Sequence, residues 1–252
     1  MAVGAEMDFA TELRVKTRRS HGASDRLVNM TLPLVFVHRE LYVLALVKFY
    51  RVYRTLESAV CAHAHSEPAL QALHFPQLAR APAFERDLLF HSRKVDLAAV
   101  LAEWPADADD DAYAARIESA ARTQPLLLLA YCQAMYFAIL SGGQLLRPII
   151  RTGLRIPSDC DDGLDIFNFD GIKDITAFKE EYINVLNSLE LSRQQKDDVI
   201  EEKKKVFEFN NRLVSAIRNH AQFRSKAYML VFYLAILAMF LVAVLLYFVL
   251  MR

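Results

Sequence analysis

The stretch that decides the fold runs from Pro125 to Leu146 and reads Pro-Leu-Leu-Leu-Leu-Ala-Tyr-Cys-Gln-Ala-Met-Tyr-Phe-Ala-Ile-Leu-Ser-Gly-Gly-Gln-Leu-Leu. Proline suits a first helical turn, where its missing N–H is not needed. The residues after it are predominantly apolar and aromatic, without a breaker, as far as Gly142 and Gly143. The helical pattern then resumes at Leu145, Leu146 and Arg147. A glycine inside a helix costs roughly 1 kcal/mol relative to alanine. The whole chain has 7 glycines, so two side by side here imply that something approaches the backbone closely. A kinked, tight helix crossing and a helix that bends over a flat ligand both meet that requirement.

The totals narrow the class. A chain of 252 residues suits one medium domain with an appendage. Lys+Arg 30 balance Asp+Glu 30, which argues against a nucleic-acid binder, whose phosphate-tracking surface would be basic. Cys61, Cys132 and Cys160 have no paired spacing and read as free thiols in a reducing compartment. Glycine and proline are scarce, and neither strand-like alternation nor an internal repeat occurs. The fold class is therefore all-α.

Working outward toward the C-terminus, Ala227 to Met251 is uncharged and rich in Leu, Val and Phe. It exceeds the roughly 20 residues needed to cross a bilayer core. Tyr228, Tyr233 and Tyr247 lie toward its ends, and Arg224 and Lys226 flank its N-terminal side, the pattern of a cytosol-facing domain on a tail anchor. Met1 to Met7 has neither the basic start nor the apolar run of a signal peptide. The expected organisation is a mobile arm at 1–10, a helical domain at 11–218, a basic juxtamembrane linker at 219–226 and a membrane span at 227–251.

Within the domain, a helix is expected from near Thr11, carrying Arg14, Lys16, Arg18, Arg19 and His21, with Pro33 as a break. Val35 to Val60 shows an apolar stripe near the 3.6 period and reads as a long helix. His63 and His65 stand near Cys61, but two residues apart they point to different sides of a helix, so a solvated helix end is the reading. A helix is expected from Pro82 through Phe90 into Leu97–Val100. Asp107, Asp109, Asp110 and Asp111 read as a surface loop, and a helix begins at Ile117. Asp165 to Lys173 is turn-rich, Thr176 to Leu189 is helical, and Gln194 to Ile217 is a charged helix with Ser192 as N-cap.

Three separated pieces carry a resemblance: His21 in its basic helix, Tyr-Phe-Ala-Ile-Leu-Ser-Gly-Gly-Gln at 136–144, and the late blocks Phe178–Leu191 and Val199–Asn210. In order and wording they resemble the haem oxygenase family, in its tail-anchored eukaryotic form and particularly its fungal branch, over roughly Leu13 to Ile217. The resemblance implies a multi-helix fold with haem between a proximal helix and a kinked distal helix. His21 matches the proximal iron ligand, with Asp25 as the acidic residue beside it. Ala138, Gly142 and Gly143 match the distal helix on the haem face. Lys179 and Arg14 match propionate-binding positions, Phe207 a pocket-wall aromatic, and Tyr53 and Asn210 polar residues of the distal water network.

Four residues depart from the family pattern. Ala138-Ile139 stands where most members have Gly-Asp, whose aspartate holds the water that supplies protons during oxygen activation. Ile183 stands where an arginine usually binds a propionate, and Gln133 where a tyrosine is frequent. The resemblance implies oxidative cleavage of haem to biliverdin, CO and ferrous iron, with O2 and with electrons from NADPH through a cytochrome P450 reductase on the same endoplasmic reticulum face. A basic patch from Arg14, Lys16, Arg18, Arg19 and Arg147 could dock an acidic reductase, or be a solvated face. Ile139 and Ile183 motivate the alternative of a membrane-tethered haem buffer with impaired turnover. Insertion of Leu126–Leu140 into a membrane is disfavoured, because the segment is short and contains Gln133.

Overall fold

The computed structural model describes residues 7–250, except for the side chains of 240 and 242–250. Residues 1–6, most of the expected arm, and residues 251–252, the end of the expected span, lie outside the described residues, as does the Tyr247 side chain. Among the described residues all regular structure is helical. The helices are α1 (Phe9–Val35), α2 (Arg39–His63), α3 (Pro68–Ala72), α4 (Ala81–Ser92), α5 (Leu97–Glu103) and α6 (Ala108–Thr123). They continue with α7 (Leu128–Phe137), α8 (Gln144–Gly153), α9 (Ile175–Ser188), α10 (Arg193–Asn219) and α11 (Ala221–Leu250). Short 3₁₀ turns lie at Pro76–Leu78, Pro125–Leu127 and Asp165–Phe167, and a π-helical turn at Ala138–Gly143 joins α7 to α8.

Helix α2 is the axis of the core. Leu41, Val47, Tyr50, Tyr53 and Leu56 are all buried, and α2 packs against α1, α4, α6, α7 and α10. Helices α1 and α10 run parallel: contacts near the start of α1 fall on residues 193–197 of α10, and the contact farther along falls on residue 207. Lys196 Nζ lies 5.9 Å from the Phe9 ring, Arg193 pairs with Glu12, Lys16 with Asp197, and His21 meets Phe207 edge to face. The unit from Pro125 to Gly153 has the length and apolarity of a membrane span, yet 67% of its most apolar window is buried. It is a core helix, which excludes the insertion of Leu126–Leu140.

Several boundaries differ from the sequence expectation, each for a local reason. Helix α1 begins at Phe9 inside the expected arm, because Asp8 caps it by accepting from the Thr11 N–H and Phe9 buries its ring. It then runs through Pro33, which falls close enough to the end to remove little of the hydrogen-bond ladder, and the break comes at Phe36–His38 instead. Arg93 turns left-handed (φ 58°) and separates α4 from α5, which were expected as one helix. The acidic run is a helix start: Asp107 accepts from the Asp109 and Asp110 N–H groups, and Asp110 is buried against Lys48. The juxtamembrane linker shortens to a break at His220, after which α11 starts.

Candidate functional site

The proximal side is built on α1. His21 and Asp25 are one turn apart, and His21 Nδ1 lies 2.9 Å from an Asp25 carboxylate oxygen. That contact takes the Nδ1 proton and leaves the Nε2 lone pair free, the arrangement a metal-binding imidazole needs. The His21 side chain is 60% exposed, although it sits on the buried α1–α10 seam. The Phe207 ring, 5.4 Å away by centroid at 76°, holds it edge-on. Nothing stands within 4 Å of a Cβ built on the neighbouring Gly22.

The distal side is the π-helical turn. Ala138 and Ser141 are exposed there, and a Cβ built on Gly142 meets nothing within 4 Å. Further along α8, Leu145 and Ile149 are exposed apolar side chains. Gly143 does a different job from Gly142. It is buried, and a Cβ on it would lie 3.0 Å from Phe167 Cδ1 and 3.1 Å from Ile139 Cγ2. Gly142 therefore offers bare backbone to open space, whereas Gly143 lets Phe167 and Ile139 close up behind the turn. Ile139 belongs to that rear packing and is 7% exposed.

Phe167 is held from behind by α4. Asp87 accepts from the Asp165 and Ile166 N–H groups at 2.8 and 3.0 Å, and Arg80 donates to the carbonyls of Ile166 and Asn168. His91 Nε2 lies 2.8 Å from the Gly163 carbonyl, and its Nδ1 faces the Arg39 guanidinium at 3.2 Å. Burial first, and Arg39 second, hold His91 down to about 4, so its ring is neutral. Neutrality fits the contacts: Nε2–H donates to Gly163, and Nδ1 accepts from Arg39. Gln144 Nε2 completes the brace by donating to the Phe167 carbonyl at 2.9 Å.

The polar pair Tyr53 and Asn210 converges on Met135. The Tyr53 hydroxyl donates to the Met135 carbonyl at 2.7 Å, while Asn210 accepts from the Tyr113 hydroxyl at 3.0 Å and directs Nδ2 to the Met135 sulfur at 3.5 Å. Met135 precedes Ile139 by one turn, so the polar hub sits next to the π-helical turn. Sequence reading missed Met135, Tyr113 and Phe167; the signal for Phe167 was the aromatic run Phe167–Phe169 in a turn-rich segment.

At the rim, Arg14 is exposed and Lys179 is half-buried, each with no ion-pair partner among the described residues. Lys179 and Ile183 share a partly exposed stripe of α9, beside the buried stripe of Phe178, Tyr182 and Leu186. Two of the buried cations are satisfied, Lys48 by Asp107 and Asp110 and Arg80 by backbone carbonyls. No cluster of three or more His, Cys, Asp or Glu side chains suits a metal ion on its own among the described residues. A metal at His21 would therefore have to arrive with its own remaining ligands, as the iron of a macrocycle does. The free Nε2, the bare Gly142 backbone and the apolar Leu145 and Ile149 fit such a flat group. Helix α1 and the π-helical turn do not pack extensively on each other.

Comparison with known proteins gives the same answer. The family model described as haem oxygenase matches residues 7–216. Haem oxygenase 2 of Synechocystis is 31% identical over 211 residues, 82% of this chain and 82% of that protein. Haem oxygenase 1 of Gallus gallus is 29% identical, covering 86% of this chain and 72% of the relative. The crystal structure of Synechocystis haem oxygenase-1 in complex with haem superposes with a TM-score of 0.79 at 26% identity, over 90% of this chain and 99% of that one. On the family match, the likeness of fold and the geometry around His21 and Gly142, the chain belongs to the haem oxygenase family of haem-degrading oxygenases.

Proposed function

We propose that the chain cleaves haem to biliverdin, CO and ferrous iron, using O2 and electrons that an NADPH–cytochrome P450 reductase supplies. The observation that carries this reading is His21. Its Nδ1 is engaged by Asp25 and its Nε2 is free, and the bare backbone at Gly142 would face it across a bound macrocycle. Haem, when bound, supplies the iron chemistry that activates oxygen and is itself the molecule consumed. His21 holds the iron, Asp25 fixes the tautomer, and Phe207 sets the ring angle. Arg14 and Lys179 offer charge to the propionates at the rim. Ala138 and Gly142 admit the macrocycle because neither places bulk on that face, and the packing of Ile139 on Phe167 keeps water from the back of the π-helical turn.

Proton supply is the step that Ile139 affects. Its side chain holds no water, which leaves Tyr53 and Asn210 at the Met135 hub as the polar groups that would support proton supply. That observation also favours the second reading, a haem buffer with impaired turnover. Haem-loaded full-length protein given reductase and NADPH separates the two. Biliverdin and CO in step with loss of the Soret band support the enzyme, and a persistent Soret band establishes the buffer. Ile139→Asp is expected to raise the biliverdin yield; an unchanged yield would mean that other groups hold the water.

We also assign α11 to the endoplasmic reticulum membrane, with the helical domain in the cytosol. Its 30 residues measure about 45 Å at 1.5 Å per residue, and the apolar side chains from Tyr228 to Met239 are largely exposed. Arg224 and Lys226 stand at its domain-proximal end. Retention of the chain in the membrane pellet after alkaline carbonate extraction is the expected result.

A further inference from the structure

Among the fully buried charged side chains, Lys203 is the exception. Lys48, Arg80, Asp87, Asp110 and Glu202 each have a hydrogen-bond or ion-pair partner. Lys203 is 5% exposed and has none among the described residues. The adjacent Glu202 does not serve it, because that carboxylate faces the other way and is taken by Arg116, Tyr131 and Lys205. Buried charges are ordinarily paired, since an unpaired one forfeits its hydration without compensation.

Its position is fixed by the parallel register of α1 and α10. Lys16 meets Asp197 and His21 meets Phe207, so Lys203 falls opposite the α1 segment between Lys16 and His21. It also lies one turn before Phe207 on the same face, with Nζ 5.8 Å from the Phe207 ring centroid. The amine is not sealed. It is absent from the buried polar atoms that lack both solvent and a partner, a set that includes the Tyr182 hydroxyl and Gln133 Oε1. A side chain with a buried stem and a reachable ammonium, next to the ring that packs on His21, is placed to meet an anion entering the cleft.

We propose that the Lys203 ammonium is an anion-binding group of the cleft and takes a propionate carboxylate of bound haem. This assignment rests on the haem reading above. Burial alone pushes the Lys203 ammonium down to about 8, so a carboxylate arriving beside it restores the charged form. A charge-assisted hydrogen bond of this kind corresponds to about 10-fold to 100-fold in affinity.

The test titrates the full-length apoprotein in detergent micelles with haem and with haem dimethyl ester, whose propionates carry no charge. K203M and K203Q are expected to weaken haem binding about 10-fold or more while changing diester binding less than about 2-fold. K203R is expected to retain most of the preference for haem. Equal losses on both ligands, or no loss on haem, would overturn the proposal and make Lys203 a packing residue. The thermal midpoint of each apo variant controls for folding, and two neutral variants guard against failure of one. H21A run in parallel separates the two levels of argument: if wild type shows no Soret band that H21A removes, the haem reading falls first.

Discussion

His21 and His91 are the same side chain in opposite surroundings. His21 stands on α1 with its side chain 60% exposed, one nitrogen engaged by Asp25 and the other free. His91 is 2% exposed, and both its nitrogens are committed, to Gly163 and to Arg39. The first keeps an unused lone pair, as ligand binding requires. The second is a strut. It holds the loop that carries Phe167, and Phe167 backs the π-helical turn. On the proposed function, chemistry and shape are thus divided: α1 presents the ligating atom, and the π-helical turn is shaped from behind by Phe167 and the His91 strut.

The comparison can be broken most decisively at His21. Its replacement by alanine is expected to weaken haem binding at least about 1,000-fold, roughly 4 kcal/mol, with loss of the ligated Soret band while the apoprotein keeps its melting point. A variant that binds haem normally would remove His21 from the site. The matching change on the other wall acts on stability. Because the folded-state pKa of His91 is lowered from 6.5 to about 4, the unfolded chain binds more protons between those values, and stability is lost as pH falls through that window. The contribution is at most about 3 kcal/mol. Burial pushes Asp87 up to about 8, which acts with the opposite sign as pH rises, so the raw curve mixes two effects. The difference between wild type and His91→Gln in urea unfolding at pH 7 and pH 4.5 isolates the histidine; a pH-independent difference would contradict the neutral strut.

The two glycines sharpen the contrast on a smaller scale. In Gly143→Ala, the new methyl group lies 3.0 Å from Phe167 and 3.1 Å from Ile139. A cost of about 1–3 kcal/mol is expected, partly offset by the roughly 1 kcal/mol helix preference of alanine. Gly142→Ala meets no neighbour, so the apoprotein should gain up to about 1 kcal/mol while its haem affinity falls. Thermal melts of the two apo variants should therefore move in opposite directions. Shifts of the same sign would show that the glycines share one role.

Much of the helix order was legible in the sequence, because the apolar stripes of α2 and α10 and the capping Ser192 are local signals. The glycine pair marked a close approach from composition alone, whereas the haem roles assigned to it and to His21 came only from the resemblance. The opposite tasks of Gly142 and Gly143 were not, since they depend on Phe167, which reaches the turn through α4 and long-range hydrogen bonds. Asp107–Asp111 misled because aspartate favours both loops and helix N-caps, and the capping partner decides between them. Lys203 looked like one more charge in Glu-Glu-Lys-Lys-Lys. Its spacing from Val199, Val206 and Asn210 puts it on the buried face of α10, a signal present in the periodicity and outweighed by the surrounding charge.

The π-helical turn at Ala138–Gly143 closes wider rings than an α-helix and so accommodates about one additional residue between α7 and α8. Removing one residue there would leave the two flanking helices in nearly the same register and restore an unbroken α-helix through the core. In evolutionary terms, the bare backbone at Gly142 is separated from an ordinary packing helix by a single inserted codon. Such a site can be gained or lost without rebuilding the fold around it.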